Sequence, residues 1–294
     1  MGLFGRNYNK PGPGVSKDEP RKKGAARFFE LWTREFGDLV KLNLLFCACV
    51  MPSLAVFILS QGFYGIYWLI VFAISLLLAF PIGGAVTACV YYITKMMRDD
   101  PSYVWYEFKR KFKENYRQAA PAGMLCTAFV YAQILLWESM TQATMTLSEM
   151  EPDIALQGSV ASGDPGVDIF MFIIGLASLL IFGMIAPYIF MHYAYIDLKT
   201  LGISKNSVLM SFGHFPRSFM GALMGGIIWI AFALYFPLSL ITVPFIIFFG
   251  ITTSMLLCHM WVWKPFDTTF KIEETLIKRA KEKEIFDDSK VEEN

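Results

Sequence analysis

Long apolar runs alternate with short basic segments along this chain. Six stretches contain no Asp, Glu, Lys or Arg: 42–60, 66–94, 119–137, 169–191, 219–236 and 238–258. Each is near or above about 17 residues, the shortest length that crosses a hydrocarbon core as a helix. Because lipid offers the backbone no hydrogen-bond partner, a crossing segment must be helical. The pattern therefore predicts an all-α polytopic membrane bundle with about six transmembrane helices, at 38–60, 66–94, 119–137, 169–191, 219–236 and 238–260.

Composition indicates the same class of protein. Hydrophobic residues make up 55% of the 294 residues and charged residues 17%, and the mean hydropathy is +0.45. A typical soluble domain is about 45 to 50% apolar and about 25% charged. The alternating ten-residue segments of a membrane β-barrel are not visible in the sequence. The chain is therefore predicted to be an integral membrane protein built from helices.

The basic residues predict an orientation. The 26 Lys and Arg residues all lie in four segments, 1–41, 95–117, 197–218 and 264–294. Loops rich in Lys and Arg stay in the cytoplasm. We therefore expect a multi-pass protein of the cell membrane whose N- and C-termini are both cytoplasmic, with one sizeable outer loop at 138–168.

Charge and hydropathy together predict three parts of the chain. Residues 1–24 form a polar cytoplasmic tail, 25–263 a six-helix transmembrane domain, and 264–294 a charged cytoplasmic tail. No cleavable signal peptide fits the start, because the polar first segment is followed by a full-length span without a small-residue cleavage site.

The segment between the second and third predicted spans interleaves aromatic and basic residues. Asp100 and Pro101 fit the start of a helix. This helix would be amphipathic, with one aromatic and one basic stripe, and would lie at the cytoplasmic membrane interface. The aromatic stripe contains Trp105, Phe108, Phe112 and Tyr116, and the basic stripe contains Lys109, Lys113 and Arg117. Such a helix fits an elbow on the membrane surface whose lysines reach anionic lipids. It also fits a surface that binds a partner protein. Asn115, on the same helix, is a further candidate for binding the partner or the membrane surface.

Two other segments bear on the architecture. Residues 25–37 repeat the aromatic and charged pattern and predict an interfacial helix leading into the first span. FPIGGA at 80–85 combines a proline with two glycines, which predicts a kink or a close helix crossing, either as a packing device or to line a cavity.

The central region faintly repeats itself at an offset of 100 residues. Five identities carry the repeat: Gly83 with Gly183, Phe112 with Phe212, Arg117 with Arg217, Ala122 with Ala222 and Met124 with Met224. In both copies the predicted chain crosses the membrane, turns through a cytoplasmic elbow and returns. We therefore hypothesise two parallel copies of one helical pair.

No residue pattern for catalysis is visible. The five cysteines lie in predicted spans without a Cys-x-x-Cys pair, and none of the three histidines has another ligand at metal-binding spacing. The chain has no P-loop, dinucleotide fingerprint, Gly-x-Ser-x-Gly or zinc-protease motif. We predict a protein that is not an enzyme and that uses no metal, no cofactor and no nucleic-acid partner.

The interiors of the predicted spans contain no carboxylate and no basic side chain. An ion-coupled transporter normally places an ionisable group there, so the pattern argues against a transporter with its own energy source. Asn43 and Gln133 are the most polar span residues, and with Trp137 they are candidates to line a sugar site. The aromatic belts of a membrane protein explain the tryptophan equally well.

Several segments together resemble the YesL-like family of bacterial integral membrane proteins. They are NYNKPGPGVSKDEPRKKG at 7–24, FFELWTREFGDLVKLNLLFCACVMP at 28–52, and PIGGAVTACVYYITKMMRDDPSYVWYEFKRKFKENYRQA at 81–119. The resemblance implies a six-span membrane protein of uncharacterised function that is associated with carbohydrate utilisation, including sugar importers that depend on a binding protein. It implies no catalytic residue.

The resemblance leaves two functions open. In the first, the protein is an accessory or assembly subunit of a carbohydrate ABC importer, supporting oligosaccharide uptake without chemistry of its own. In the second, it is a sugar-transport membrane protein itself, either a substrate-binding or a permease-like unit. Residues 195–216 have the general shape of a permease coupling loop but lack the Glu-Ala-Ala of importer permeases. That difference argues against direct coupling to an ATPase.

Overall fold

The computed structural model describes residues 22–100, 102–149, 165–196, 198–234 and 244–278, with backbone only for 140–149, 165–169 and 230–234. Every regular element among them is helical. The helices are α1 (Ala25–Arg34), α2 (Phe36–Ser60), α3 (Gly65–Leu78), α4 (Ile82–Met97), α5 (Val104–Asn115), α6 (Ala120–Glu149), α7 (Pro165–Tyr195), α8 (Thr200–Gly213), α9 (Phe215–Leu234) and α10 (Ile251–Phe270). A π-helical turn at Ile246–Gly250 precedes α10, and 272–278 form a last helical segment, α11.

Five helical segments in the described part of the chain are long and apolar enough to cross a membrane. They are Phe36–Ser60, Gly65–Met97, Ala120–Ser139, Phe170–Tyr195 and Ile246–Phe270. The all-α membrane class is therefore confirmed. The predicted span at 219–236 falls on α9, and six spans remain consistent with this fold. The junction between the predicted spans 219–236 and 238–260 lies outside the described residues, as do residues 150–164 of the predicted outer loop.

The predicted span at 66–94 consists of two helices. Helix α3 ends at Leu78 and α4 begins at Ile82. Pro81 is the last residue of the break; it lacks a backbone N–H and disfavours helical backbone at the residue before it. Immediately afterwards α4 crosses α6 at close range, because a Cβ on Gly83 would collide with the carbonyl of Ala119, and a Cβ on Gly123 would collide with Gly83. For FPIGGA, where a kink or a close helix crossing was predicted, the structure shows a break between two helices and a close crossing.

The hydrophobic core surrounds α4. Thirteen of its 16 residues are buried, whereas α3 buries only Ser75, so the outer surface of α3 is left for lipid. Helix α4 packs against α2, α5, α6, α7 and α10. Both buried clusters draw on the ends of helices that adjoin the basic segments, including Leu39 and Ile93 in one cluster and Met191 and Phe266 in the other. The packed core therefore lies toward the basic end of the bundle.

Two helix–elbow–helix units account for the predicted repeat. In the first, α5 folds back antiparallel along α4: Lys95 pairs with Glu107, while the Cβ built on Gly84 lies 2.8 Å from the Cα of Tyr116. In the second unit α8 packs on α7 in the same chain order. The repeat hypothesis thus has a structural counterpart, α4–α5–α6 and α7–α8–α9.

The crossing glycine recurs in the second unit. A Cβ on Gly183 of α7 would lie 3.2 Å from the Cβ of Ala222 of α9. This contact corresponds, at the offset of 100 residues, to the contact of Gly83 with the start of α6. A small residue at each crossing lets the helix backbones approach closely.

The packed domain continues beyond residue 263, the boundary predicted from charge. Helix α10 runs to Phe270, and both Phe266 and Ile272 are buried in the core. Lys271 then ends the helix in left-handed backbone, with φ of 50°. Buried aromatic and aliphatic contacts therefore continue into a segment whose composition is charged.

Candidate functional site at the elbow helices

The first elbow helix, α5, buries one face against the bundle. Val104, Glu107, Phe108 and Asn115 are buried. The helix starts after Tyr103, whose backbone is extended, and so begins slightly later than the predicted Asp100 start. An amphipathic helix is stabilised mainly by burying its apolar face, and here the bundle covers that face.

Three of the four residues of the predicted aromatic stripe pack inward. The rings of Phe108, Phe112 and Tyr116 stack in succession, with centroid separations of 6.0 and 6.1 Å. Phe108 is only 6% exposed, whereas Trp105 is 64% exposed. Lys95, two residues from the end of α4, already pairs with Glu107. Trp105, near the start of α5, therefore stays uncovered by the described part of the chain.

The predicted basic stripe faces outward. Lys109, Lys113 and Arg117 are all exposed, and the Arg117 guanidinium donates a hydrogen bond of 2.7 Å to the hydroxyl of Tyr116. Asn115 is buried instead, and its side-chain amide donates to the carbonyl of Lys111 at 3.0 Å. Together with Trp105, the three exposed basic residues form an outer basic-aromatic surface on α5, while Phe108, Phe112 and Asn115 serve packing.

An ion-pair cluster that the sequence reasoning missed joins α1 to the turn between α4 and α5. The carboxylate of Asp99 accepts hydrogen bonds of 2.6 Å from both Arg27 and Arg34. Asp99 adopts left-handed backbone with φ of 59°, which Asp tolerates better than most residues. The only local signal was the pair of carboxylates in RDDP at 98–101, and nothing near it in the sequence points to α1.

A second ion pair of the same cluster is almost completely buried. Lys95 and Glu107 are each about 8% exposed, and the Lys95 ammonium lies 2.9 Å from the Glu107 carboxylate. Arg110 donates to the other carboxylate oxygen of Glu107 and to the hydroxyl of Tyr91. Since a buried charge is costly without a partner, this pairing lets α5 place a glutamate on its buried face.

Despite burial, hydrogen bonds from basic side chains lower the pKa of two carboxylates in the cluster, Asp99 and Glu107. Partial burial acts to raise the pKa of Asp99, but the hydrogen bonds from Arg34 and Arg27 outweigh it and hold that pKa below its ordinary value. Burial likewise acts to raise the pKa of Glu107, and Lys95 and Arg110 outweigh it. The pKa of Arg110 is raised, because its bonds to Glu107 outweigh the opposing effect of burial. The cluster is therefore a fixed electrostatic link between α1, α4 and α5.

The second elbow helix, α8, has apolar side chains on both its buried and its exposed face. Ile203 and Met210 are buried against the bundle. On the outside, Leu201 is 86% exposed and Leu209 is 70% exposed, and Phe212 continues the same face. Helix α8 coincides with the segment that resembles a permease coupling loop in general shape.

The three candidate ligand-lining residues fall into two places. Asn43 is fully buried between α2 and the start of α10. Its amide N–H groups donate to the carbonyls of Ile246 and Ile247 at 2.8 and 2.6 Å, and its oxygen accepts the backbone N–H of Thr252 at 2.9 Å. Asn43 therefore holds the π-helical turn in place with both of its donors, and a ligand-lining role for it remains a prediction.

Gln133 and Trp137 lie together at the interface of α6 and α7. The Gln133 amide donates to the hydroxyl of Ser178 at 2.9 Å, and its oxygen is buried without a partner among the described residues. Trp137 contacts Phe172 edge to face at 5.2 Å. Gly175 lies beside both Gln133 and Trp137. The structure thus groups two of the three predicted residues, some distance along the chain from the elbow surfaces.

Within the described residues, no three His, Cys, Asp or Glu side chains are grouped as a metal site. The five cysteines are free thiols. The absence of a metal, a cofactor and a reaction therefore stays a prediction from the sequence.

Comparison with known proteins gives one relationship. Residues 63–139 match the family described as "Protein of unknown function, DUF624". No curated protein and no solved structure matches the chain. YesL-like proteins belong to this family, so the match supports the resemblance over α3, α4, α5 and the first part of α6. The matched segment, about a quarter of the chain, includes the first elbow and the Gly83 crossing, and it is there that this chain is similar to DUF624 proteins.

Proposed function

We propose that this protein is a non-catalytic accessory or assembly subunit of a carbohydrate ABC importer, and that α5 and α8 are the surfaces with which it binds the importer. The link to sugar uptake comes from the resemblance to YesL-like proteins. The proposal that the protein acts by binding a partner rests on one observation, the exposed apolar side chains on the outer face of α8.

The outer face of α8 has the character of a protein-binding surface. Large apolar side chains that are exposed together mark an interaction surface, and Leu201, Leu209 and Phe212 are exposed on this face. Lys205 is exposed on the same face, between Leu201 and Leu209 in the sequence and one helical turn from each. A charge in the middle of an apolar face disfavours acyl chains as the cover. It suits a groove on a partner that offers apolar pockets and a carboxylate.

The proximity of the two elbows supports a single shared binding surface. The side-chain amide of Gln118, just after α5, donates to the carbonyl of Leu198, just before α8, at 2.8 Å. The elbows therefore meet at the same end of the bundle. The exposed Trp105 adds to the combined surface a residue type that often dominates binding energy at protein interfaces.

Charge insertion on α8 tests the binding surface. Leu209→Glu should leave the detergent-solubilised protein folded, because the side chain is exposed, and should abolish co-purification of the importer's permease subunits in mild detergent. Ser204→Glu is the matched control, since it adds the same charge to an exposed position of the same helix, and it should retain most of the complex. Equal recovery of the permease subunits with both variants would exclude α8 as the contact.

Growth and reconstitution test the function itself. Deletion of the protein should reduce growth on an oligosaccharide while leaving growth on glucose normal. Purified protein in liposomes should not accumulate sugar in response to a proton or sodium gradient. Accumulation by the protein alone would replace the accessory role with the second function, a transporter, for which Gln133 and its unpartnered oxygen would be the first residue to mutate.

A further inference from the structure

An apolar groove lies between α1, α9 and the start of α10. Its cavity has a volume of about 230 Å³. Helix α1 contributes the side chains of Phe28, Phe29 and Trp32, and the opposite wall is formed by Ile228, Phe245 and Leu257. We call this cavity the α1 groove.

The wall of the α1 groove favours hydrocarbon over water. Thr253 is the polar residue in the lining, and its hydroxyl accepts a hydrogen bond of 3.2 Å from the indole N–H of Trp32. A water molecule needs two to four polar partners to occupy a cavity. The two polar groups at this position bind each other, so an occupant gains more from apolar contact than from hydrogen bonding.

The surroundings of the groove are those of a lipid-facing surface. Phe29, at the groove, is 61% exposed, and Ile247 and Phe248 beside the start of α10 are also exposed. The opposite wall belongs to α9 and α10, and the segment Ile246–Phe270 is apolar enough to span a membrane. These exposed apolar side chains make the opening of the groove suitable for a hydrocarbon chain.

The N-terminus of α1, which is preceded by two lysines, lies next to the groove. Lys22 and Lys23 are exposed just before α1, and α1 has neither a side-chain cap nor an acidic residue in its first turn. A helix N-terminus favours an anion, and neighbouring lysines add to that attraction. Along the helix axis, Ala25 and Phe28 are about 4.5 Å apart, so a headgroup at the N-terminus is adjacent to a chain in the groove.

We propose that the α1 groove binds one acyl chain of an anionic phospholipid from the surrounding bilayer, and that the headgroup of this lipid lies at the N-terminus of α1 beside Lys22 and Lys23. The charge complementarity selects an anionic lipid over a zwitterionic one, and the apolar lining selects a lipid over a soluble anion. The bound lipid joins α1 to α9 and α10. This inference is independent of the proposed partnership with an importer.

Quenching of tryptophan fluorescence tests the site in the full-length protein. The probes are phosphatidylglycerol and phosphatidylcholine with dibrominated acyl chains, mixed at increasing fractions into nanodiscs. The contribution of Trp32 is the difference between the parent protein and Trp32→Phe. We expect brominated phosphatidylglycerol to quench this contribution at about a thirtyfold lower lipid fraction than brominated phosphatidylcholine, as two lysines near an anionic surface predict.

Two further variants separate the headgroup from the chain. Lys22→Gln with Lys23→Gln should remove the preference for phosphatidylglycerol and leave quenching by both lipids. Ile228→Phe, which enlarges a side chain of the groove wall, should weaken quenching by both. Equal quenching of the parent by the two lipids at every fraction would overturn the anionic headgroup site, and no quenching of Trp32 by either would overturn chain binding.

A mass measurement covers the case in which Trp32→Phe does not fold. Native mass spectrometry of the parent protein in mild detergent should show one retained phosphatidylglycerol per chain, and the Ile228→Phe variant should lose it. Retention of the same number of lipids by both proteins would overturn the proposal. A mass of two chains without lipid would overturn it as well, by identifying a second copy as the occupant.

Discussion

Gly83 and Gly123 meet where α4 crosses α6, and each stands where a Cβ would strike the backbone of the other helix. The contact places α4 at the centre of the bundle and lets α5 fold back along it. It also fixes the start of α6 against the first elbow. The position of the exposed surface of α5 therefore depends on two residues that have no side chain.

Substitution of Gly83 by Ala should destabilise the fold. The added methyl group would collide with the carbonyl of Ala119, a backbone atom that cannot rotate away, so we expect a loss of about 1 to 3 kcal/mol. The loss of stability is measured by thermal unfolding of the protein in detergent. Gly226→Ala in α9 is the control, because a Cβ there meets no atom within 4 Å. Equal melting temperatures for both variants would mean that α4 and α6 are not closely apposed.

Substitution of Asp99 by Asn should loosen α1 from the turn between α4 and α5. Asn tolerates the left-handed backbone at this position, so the variant removes charge without adding strain. The site is partly exposed, and we expect a loss of about 1 to 2 kcal/mol for the two arginine contacts. Asp99→Leu should lose more, because a bulkier side chain is strained at positive φ.

The pH dependence of this effect has a defined sign. Because the pKa of Asp99 is lowered in the folded protein, its contribution is present above the ordinary carboxyl pKa of about 4 and is lost as the pH falls through the lowered value. The difference in melting temperature between parent and Asp99→Asn should therefore be constant from pH 5 to 8 and shrink below about pH 4. A difference that grows on acidification would contradict the assignment.

Charge placed on the two faces of α5 should have opposite consequences. Phe108→Asp puts a carboxylate into the buried stack and should prevent folding or lower stability by more than about 3 kcal/mol. Trp105→Asp, on the exposed face of the same helix, should leave expression and melting temperature close to those of the parent. Its effect should appear in binding to the importer instead. Similar loss of folded protein in both variants would show that Trp105 is also covered.

Cysteine labelling tests the predicted orientation. In a background without native cysteines, probes at Ser102 and Ser204 should react only after the cells are permeabilised, and a probe at Ser159 should react in intact cells. The expectation follows from the concentration of Lys and Arg in the segments that contain Ser102 and Ser204. Labelling of Ser102 from outside would reverse the orientation of the whole bundle.

The membrane class and the places of most helices were readable from the sequence. Charged side chains and unpaired backbone groups are costly in hydrocarbon whatever their neighbours are. Residue type alone therefore locates α2, α7 and the basic elbow of α5. The irregularity at FPIGGA could be predicted for a related reason. Proline lacks a backbone N–H and glycine lacks a Cβ, and both are properties of the single residue.

Only the tertiary structure decided which side chains meet. Asp99 and Arg27 are 72 residues apart in the chain, and Asn43 lies more than 200 residues from the carbonyls of Ile246 and Ile247 that it binds. These pairs depend on how each helix is rotated and where it crosses its neighbour, which the packing of the whole core determines. The same reason explains why Trp105 is exposed although its spacing matches the buried Phe108, and why Phe266 is buried although it lies in a charged segment. The sequence determined where the helices lie, and side-chain packing between distant helices decided which of their surfaces remain free to bind.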